Sequence, residues 1–226
     1  VPVETGLAWV HDLKGITLAD VAVAVVERGG AGAGENAGSP ARTRASRRGS
    51  FLFTHFGLSG PAVLDVSRAI TGHPGLTRLE LVCDFLPSLA DAEFDDQLRQ
   101  KAAAEGKLPV AAILPHDLPR RLMDTLLGLA DVPRDLRCAE LGKAARARLV
   151  RVFKHCAIRV TGTLGFKKAE VTAGGVSLAE VDSRSMQSRI VPNLYLAGEI
   201  LDLDGPIGGY NFQAAFSTGW LAGGHL

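Results

Sequence analysis

The strongest constraint on the fold is a change of period in the middle of the chain. Residues 88–153 read as helix in pieces, broken by Pro109, Pro115, Pro119 and Pro133, while the residues on either side carry the short β-branched runs of strands. A helical block set between strand-rich segments predicts helices segregated from the sheet, an α+β arrangement inside a wider α/β plan. Leu118, Leu122, Leu126 and Leu129 share one helical face and are expected in the core of the block. Ser88 followed by Asp91 has the spacing of a capping box.

Upstream, residues 7–30 read as two antiparallel strands, with Val21, Val23 and Val25 alternating with small residues before a Gly-Gly stop. Residues 29–50 then change to Gly, Ala, Ser and Arg with almost no large apolar side chain, so nothing there offsets the entropy of ordering them, and a disordered loop is predicted. Arg42, Arg44, Arg47 and Arg48 make this tract basic, yet no aromatic residue accompanies them to stack on bases, so a solvated loop is expected rather than a nucleic-acid arm. A strand at 51–54 follows, then a small-residue turn at 57–60, and Pro61 stands where a helix would begin. Residues 76–87 read as a strand stopped by Pro87, and residues 157–165 and 169–176 as two short strands. The chain closes with a short buried strand at 194–197, an acidic turn, a Gly-Gly pair and a helix from about Tyr210 that reads on to the last residue.

Composition removes several function classes. Lys plus Arg number 25 against 24 Asp plus Glu, a net charge of +1, which leaves no global field for nucleic acid or an anionic membrane. The longest strictly apolar run, residues 21–26, is far short of the roughly 20 residues that span a bilayer. Cys83, Cys138 and Cys156 are odd in number and lack C-x-x-C spacing, and the histidines lie in separate segments, so neither a disulfide framework nor a metal site is expected. A reducing, cytoplasmic setting follows. The chain begins at Val1 without the pattern of a signal peptide and reads as a piece of a longer one.

"GAGENA" at residues 32–37 fits the relaxed G-x-G-x-x-G/A dinucleotide pattern, but Ser39-Pro40 and arginines follow it instead of an amphipathic helix, so the fingerprint is rejected. Gly208 and Gly209 are better placed. Directly before a helix, they allow a ligand's polar atoms to approach backbone N–H groups at the positive end of the helix dipole. Glu199 and Asp202, just upstream, could accept hydrogen bonds from sugar-type hydroxyls. The same strand, acidic turn and glycine-started helix also occur in α/β domains without a ligand, and on pattern alone both readings stand.

Two motifs carry a resemblance. "TAGGVSLAEVDSRSMQSRIVPNLYLAGEILDLDGPIGGYNFQAAFSTGWLAG" resembles the closing segment of the BaiN-like, or aminoacetone-oxidase-like, FAD-dependent oxidoreductases, and "LFTHFGLSGPAVL" is similar to a second signature of that family. The resemblance runs from about Leu7 to the end. It implies a partial Rossmann-like FAD-binding domain at 173–226, a β-rich inserted substrate domain at 1–87 with return strands at 154–172, and a small helical subdomain at 88–153. It further implies that Gly198, Glu199, Asp202, Gly208, Gly209, Tyr210 and Asn211 lie along the ribityl chain and pyrimidine edge of FAD, with Gly174 and Gly175 in a tight turn beside it. Thr54, His55 and the 57–61 turn would face the substrate. The family's own G-x-G-x-x-G fingerprint is absent from this chain, which removes the half of the site that anchors adenosine and pyrophosphate.

The implied activity is hydride transfer between NAD(P)H and a small organic substrate through the flavin. An oxygen-using amine oxidase and a truncated, non-catalytic remnant are the alternatives. His55 is the candidate catalytic residue, as a proton donor or substrate anchor; a ring satisfying local backbone is the alternative for it. No nucleic-acid or membrane partner is expected, and the oligomeric state is left open.

Overall fold

The computed structural model describes residues 1–29 and 41–225, and these form two compact units: Pro2–Thr163, and Leu164–Leu226 together with Val1. The rejected "GAGENA" motif lies outside the described residues.

The first unit is built on an antiparallel seven-stranded sheet. Its strands are β1 (Val3–Glu4), β2 (Thr17–Glu27), β3 (Arg42–Phe53), β4 (Gly57–Ser59), β5 (Leu79–Asp84), β6 (Cys156–Arg159) and β7 (Gly162–Thr163), in the order β6-β5-β2-β3-β4-β1-β7. The valine alternation in β2 sends Val21, Val23 and Val25 into the core, as the period-2 pattern requires. Phe51, Phe53 and Phe85 pack there edge-on and stacked, with centroids 5.0–6.4 Å apart. The helix α2 (Pro61–Val66) covers them with Ala62, Val63 and Val66, and Pro61 does open it.

Three expectations about this half are corrected. Residues 7–30 do not hold two strands: α1 (Ala8–Asp12) precedes the single strand β2, because burial of Val10 and Leu13 outweighs the local β-propensity. The disordered loop predicted for 29–50 fails over 42–50, which belong to β3 and pair along β2 from Arg42 opposite Glu27 to Gly49 opposite Val21. Three of its four arginines meet an acid there. Arg44 binds Glu27, Arg47 lies 2.9 Å from Asp65, and Arg48 grips Asp20 at 2.6 Å through two nitrogens. The Arg44 guanidinium holds the Glu27 carboxyl below its usual range, and Arg48 does the same to Asp20. The 57–60 turn, finally, contains the strand β4.

After the small helix α3 (Arg68–Thr71) and β5 comes the helical block, α4 (Asp91–Ala104), α5 (Arg120–Leu129) and α6 (Lys143–Lys154). Phe94, Leu98, Leu122, Leu126, Leu149 and Phe153 are buried in it. Leu118 is only half-buried and Leu129 is exposed; the helix turns Leu127 inward instead. No capping box forms, since Ala90 is the N-cap of α4. Ser88 Oγ accepts from Arg48, and the Asp91 carboxylate pairs with His155 at 2.6 Å. Lys154 fastens the block to the sheet: its buried ammonium donates to Asp84 Oδ2 and the Leu86 carbonyl at 2.7 Å, and to the Leu89 carbonyl.

The second unit carries the helix α7 (Tyr210–Gly223) over a small core of Val181, Met186, Leu201 and Ala222. The strands expected at 169–176 and 194–197 shrink to isolated bridges, Val176 to Leu201 in parallel and Gln187 to Tyr195 antiparallel, and Leu194 is exposed rather than buried. The helix ends at Gly223 instead of running on to 226. No helix among the described residues is long and apolar enough to cross a membrane.

Candidate functional site

All nine residues expected at the cofactor lie in the second unit, on two turns that hydrogen bonds join directly and on the start of α7. Gly174 and Gly175 turn with φ of +94° and +152°, and the next residue, Val176, exchanges backbone hydrogen bonds of 2.8 and 2.9 Å with Ile200 and Asp202. Gly175 is forced there. A Cβ would stand 2.8 Å from the Leu201 carbonyl carbon and 3.0 Å from the Asp202 nitrogen, and would meet the Ile200 oxygen more closely still. The Glu199 carboxylate accepts from the Thr172 backbone N–H at 2.6 Å, so the threonine of T-x-G-G-V is tied to the acidic turn. Gly198, at φ +77°, donates its N–H to Thr218 Oγ1 at 2.9 Å, which fixes the turn against α7.

The start of α7 is held by Asn211, whose side-chain oxygen accepts from Gly205 N–H at 2.8 Å and whose amide donates to the Gly205 carbonyl at 2.9 Å. One acceptor site and one N–H of that side chain are thus committed to Gly205. Gly208 and Gly209 have φ of +132° and +93°, and Gly209 is the N-cap with no side-chain cap. Nothing lies within 4 Å of where a Gly209 Cβ would be. No side chain caps the first N–H groups of α7, at the positive end of a 14-residue helix, with Asp202 and Tyr210 exposed nearby in sequence. An uncapped, glycine-bordered helix start fits the polar edge of a flavin ring, and the carboxylates of Glu199 and Asp202 fit hydroxyl donors.

Sequence reasoning passed over Thr172, Thr218 and Gly205, which position the site rather than line it. All three fall within the closing 172–223 motif, but their partners are set by tertiary structure and no local pattern marks them.

His55 belongs to the first unit. Its ring is exposed and packs edge-on against Phe56, centroids 5.0 Å apart. The residues around it have folding roles. Thr54 Oγ1 both accepts from Gly57 N–H at 3.1 Å and donates to its carbonyl at 3.0 Å. Gly57 passes so close to β1 that a Cβ would be 3.1 Å from Glu4 Cα, and Gly60 passes equally close to β3, 3.0 Å from Phe51 Cα. The threonine, glycines and proline of this signature build a corner of the sheet.

The cysteines regroup too. Cys83 and Cys156 stand directly opposite on β5 and β6 and are buried, which pushes the Cys83 thiol well up and Cys156 to about 12. They are inert as nucleophiles.

Residues 1–171 match the profile of the family described as HI0933-like protein barrel and H2TH domain, and the chain belongs to that family. It is 38% identical over 173 residues to a ribosomal RNA dihydrouridine synthase of Escherichia coli, covering 76% of this chain and 41% of that protein. It is 34% identical over 181 residues to a 3-dehydro-bile acid delta(4,6)-reductase of Clostridium scindens, covering 77% and 43%. A ribosomal RNA dihydrouridine synthase of Haemophilus influenzae is 34% identical over 169 residues. The chain thus spans about two fifths of the length of these relatives.

Proposed function

We propose that the chain is part of a flavin-dependent, NAD(P)H-linked reductase of the BaiN-like type that saturates a carbon–carbon double bond conjugated to a carbonyl. The observation that carries this reading is the glycine-bordered start of α7 without a side-chain cap, on a helix whose Thr218 is hydrogen-bonded to the 198–202 turn and through it tied to the Gly174–Gly175 turn. The relatives' names supply the reaction class. Dihydrouridine is uridine with its ring double bond saturated, and a delta(4,6)-reductase removes double bonds of the same conjugated kind.

FAD bound here would supply two-electron hydride chemistry, in a partial Rossmann-like domain completed by polypeptide beyond the match. The chain's own residues have simpler tasks. Backbone N–H groups of Gly209, Tyr210 and Asn211 would hold a pyrimidine oxygen and stabilise negative charge there. Asp202 and the second Glu199 oxygen would accept from ribityl hydroxyls. Gly174 and Gly209, whose Cβ positions meet nothing within 4 Å, would keep side chains out of the approach. His55, exposed at the sheet corner, is the residue we assign to deliver a proton from a ring nitrogen to the carbon beside the carbonyl.

We take the substrate to be a small organic molecule in a cytoplasmic setting. RNA is the second reading, favoured by one observation: residues 141–169 contain eight Lys and Arg and no Asp or Glu, with Lys143, Arg151 and Arg159 exposed. Against it, Arg146 and Lys154 are already paired with Asp95 and Asp84.

The test uses the natural protein containing this chain, without oxygen. NADPH or NADH should bleach the flavin absorbance, and a conjugated steroid enone should restore it; restoration by a ribosomal RNA transcript alone would select the second reading. Bleaching by an amine instead of a nicotinamide, with recovery on admitting oxygen, would point to an amine oxidase, and no bleaching by either nicotinamide would defeat the proposal.

A further inference from the structure

The second unit presents its largest apolar side chains to solvent. Phe166, Ile190, Phe212, Phe216 and Trp220 are 77, 66, 73, 73 and 81% exposed, while its buried apolar core is Val181, Met186, Leu201 and Ala222. The first unit, by contrast, buries nearly all of its large apolar residues.

The helix α7 concentrates the anomaly. It contains no Asp, Glu, Lys or Arg along its 14 residues. At 100° per residue, Ala214, Ala215, Thr218, Leu221 and Ala222 form the face turned toward the unit's core, and all are buried or half-buried. Phe212, Phe216, Gly219, Trp220 and Gly223 fall within an arc of about 100° on the other side, and all are exposed. A helix that is uncharged and apolar on both faces is one that is covered on both faces. Three rings of roughly 200 Å² each, about three-quarters exposed, amount to roughly 450 Å² of apolar surface on that outer side, at the scale of an interaction patch.

The shape of the face indicates what covers it. Phe212, Phe216 and Trp220 make a ridge along an i±4 row, and beside it Gly219 and Gly223 make a shelf where nothing lies within 4 Å of either Cβ position. A ridge next to a glycine shelf is complementary to another helix, whose backbone can come close at the glycines while its side chains straddle the aromatics. The curated relatives carry more than half of their length outside the segment they share with this chain, which is ample polypeptide for such a helix.

We propose that the outer face of α7 is a helix-docking seam, occupied by one apolar helix from the polypeptide that longer members of the family carry outside the shared segment. The seam is independent of any flavin and of the reaction assigned above.

The experiment replaces Phe216, and in a second variant Trp220, with the photo-crosslinking residue p-benzoylphenylalanine in the natural protein, irradiates a dilute monomeric sample, and maps the linked peptides by mass spectrometry. The expected result is a crosslink from both positions to successive turns of one helical segment outside these 226 residues. Crosslinks that form only between two copies, crosslinks to residues of the 226 themselves, or no crosslink together with free quenching of Trp220 fluorescence by iodide in a Trp9→Phe background would each overturn the proposal. Because no step reads flavin or turnover, its failure leaves the reductase reading untouched.

Discussion

Gly175 and Gly209 look alike in the sequence, each the second glycine of a pair with a positive φ, yet the structure uses them differently. Gly175 is pressed against the backbone of Leu201 and Asp202, whereas the Cβ direction of Gly209 points into empty space. The first glycine permits a fold and the second permits an approach. Gly175→Ala should accordingly destabilise the second unit by roughly 1–3 kcal/mol, through strain at φ +152° and a backbone clash. Hydrogen exchange of the Val176 and Asp202 amides reports this; unchanged protection of both would contradict the packing role. The motif was legible as a tight turn, but which glycine meets backbone depends on a bridge to Leu201, 26 residues downstream of Gly175, that no local pattern encodes. Asn211 teaches the same lesson: the resemblance places it along the cofactor, while its side-chain hydrogen bonds to Gly205 are set by the fold of the 205–211 turn.

At the scale of elements, what was legible had local causes. Pro61 opens α2, Tyr210 opens α7 after its glycine pair, and the proline-broken block 88–153 yields α4, α5 and α6. What was illegible had distant ones. The strand β3 looks disordered by composition because its stability comes from β2 and from acids at Asp20, Glu27 and Asp65, so three of the four arginines that read as a solvated loop, Arg44, Arg47 and Arg48, are instead paired across a sheet or onto α2. The helix α1, five residues long, exists only by tertiary burial. Lys154 is the least foreseeable, a cation at the end of α6 that binds the end of β5 and the turn after it. Lys154→Met would leave the Asp84 carboxylate and two carbonyls without their shared donor, at a cost of about 3 kcal/mol. The midpoint of urea unfolding should fall with an unchanged slope. A variant as stable as the parent would show that the ammonium is replaceable by an apolar side chain and does not fasten block to sheet.

At the scale of the molecule, the two units differ in how complete they are. Pro2–Thr163 has a deep core of strands, helices and three packed phenylalanines, and the family profile covers it. Leu164–Leu226 has a thin core, a glycine-bordered helix start and an exposed aromatic row on α7, the features on which the ligand and docking proposals rest. The account rests on the helix start. The most direct measurement is flavin absorbance per polypeptide, after gel filtration, for the natural protein and for its Gly209→Asn and Gly224→Ala variants, alongside thermal melting. Asparagine tolerates the positive φ that Gly209 requires but places a side chain in the open space before the helix, whereas Gly224, at the far end, has an ordinary φ of −77°. Gly209→Asn should lose most of its flavin with little change in melting temperature, while Gly224→Ala should keep both. A full complement of flavin on Gly209→Asn would mean that no cofactor rests on this helix start.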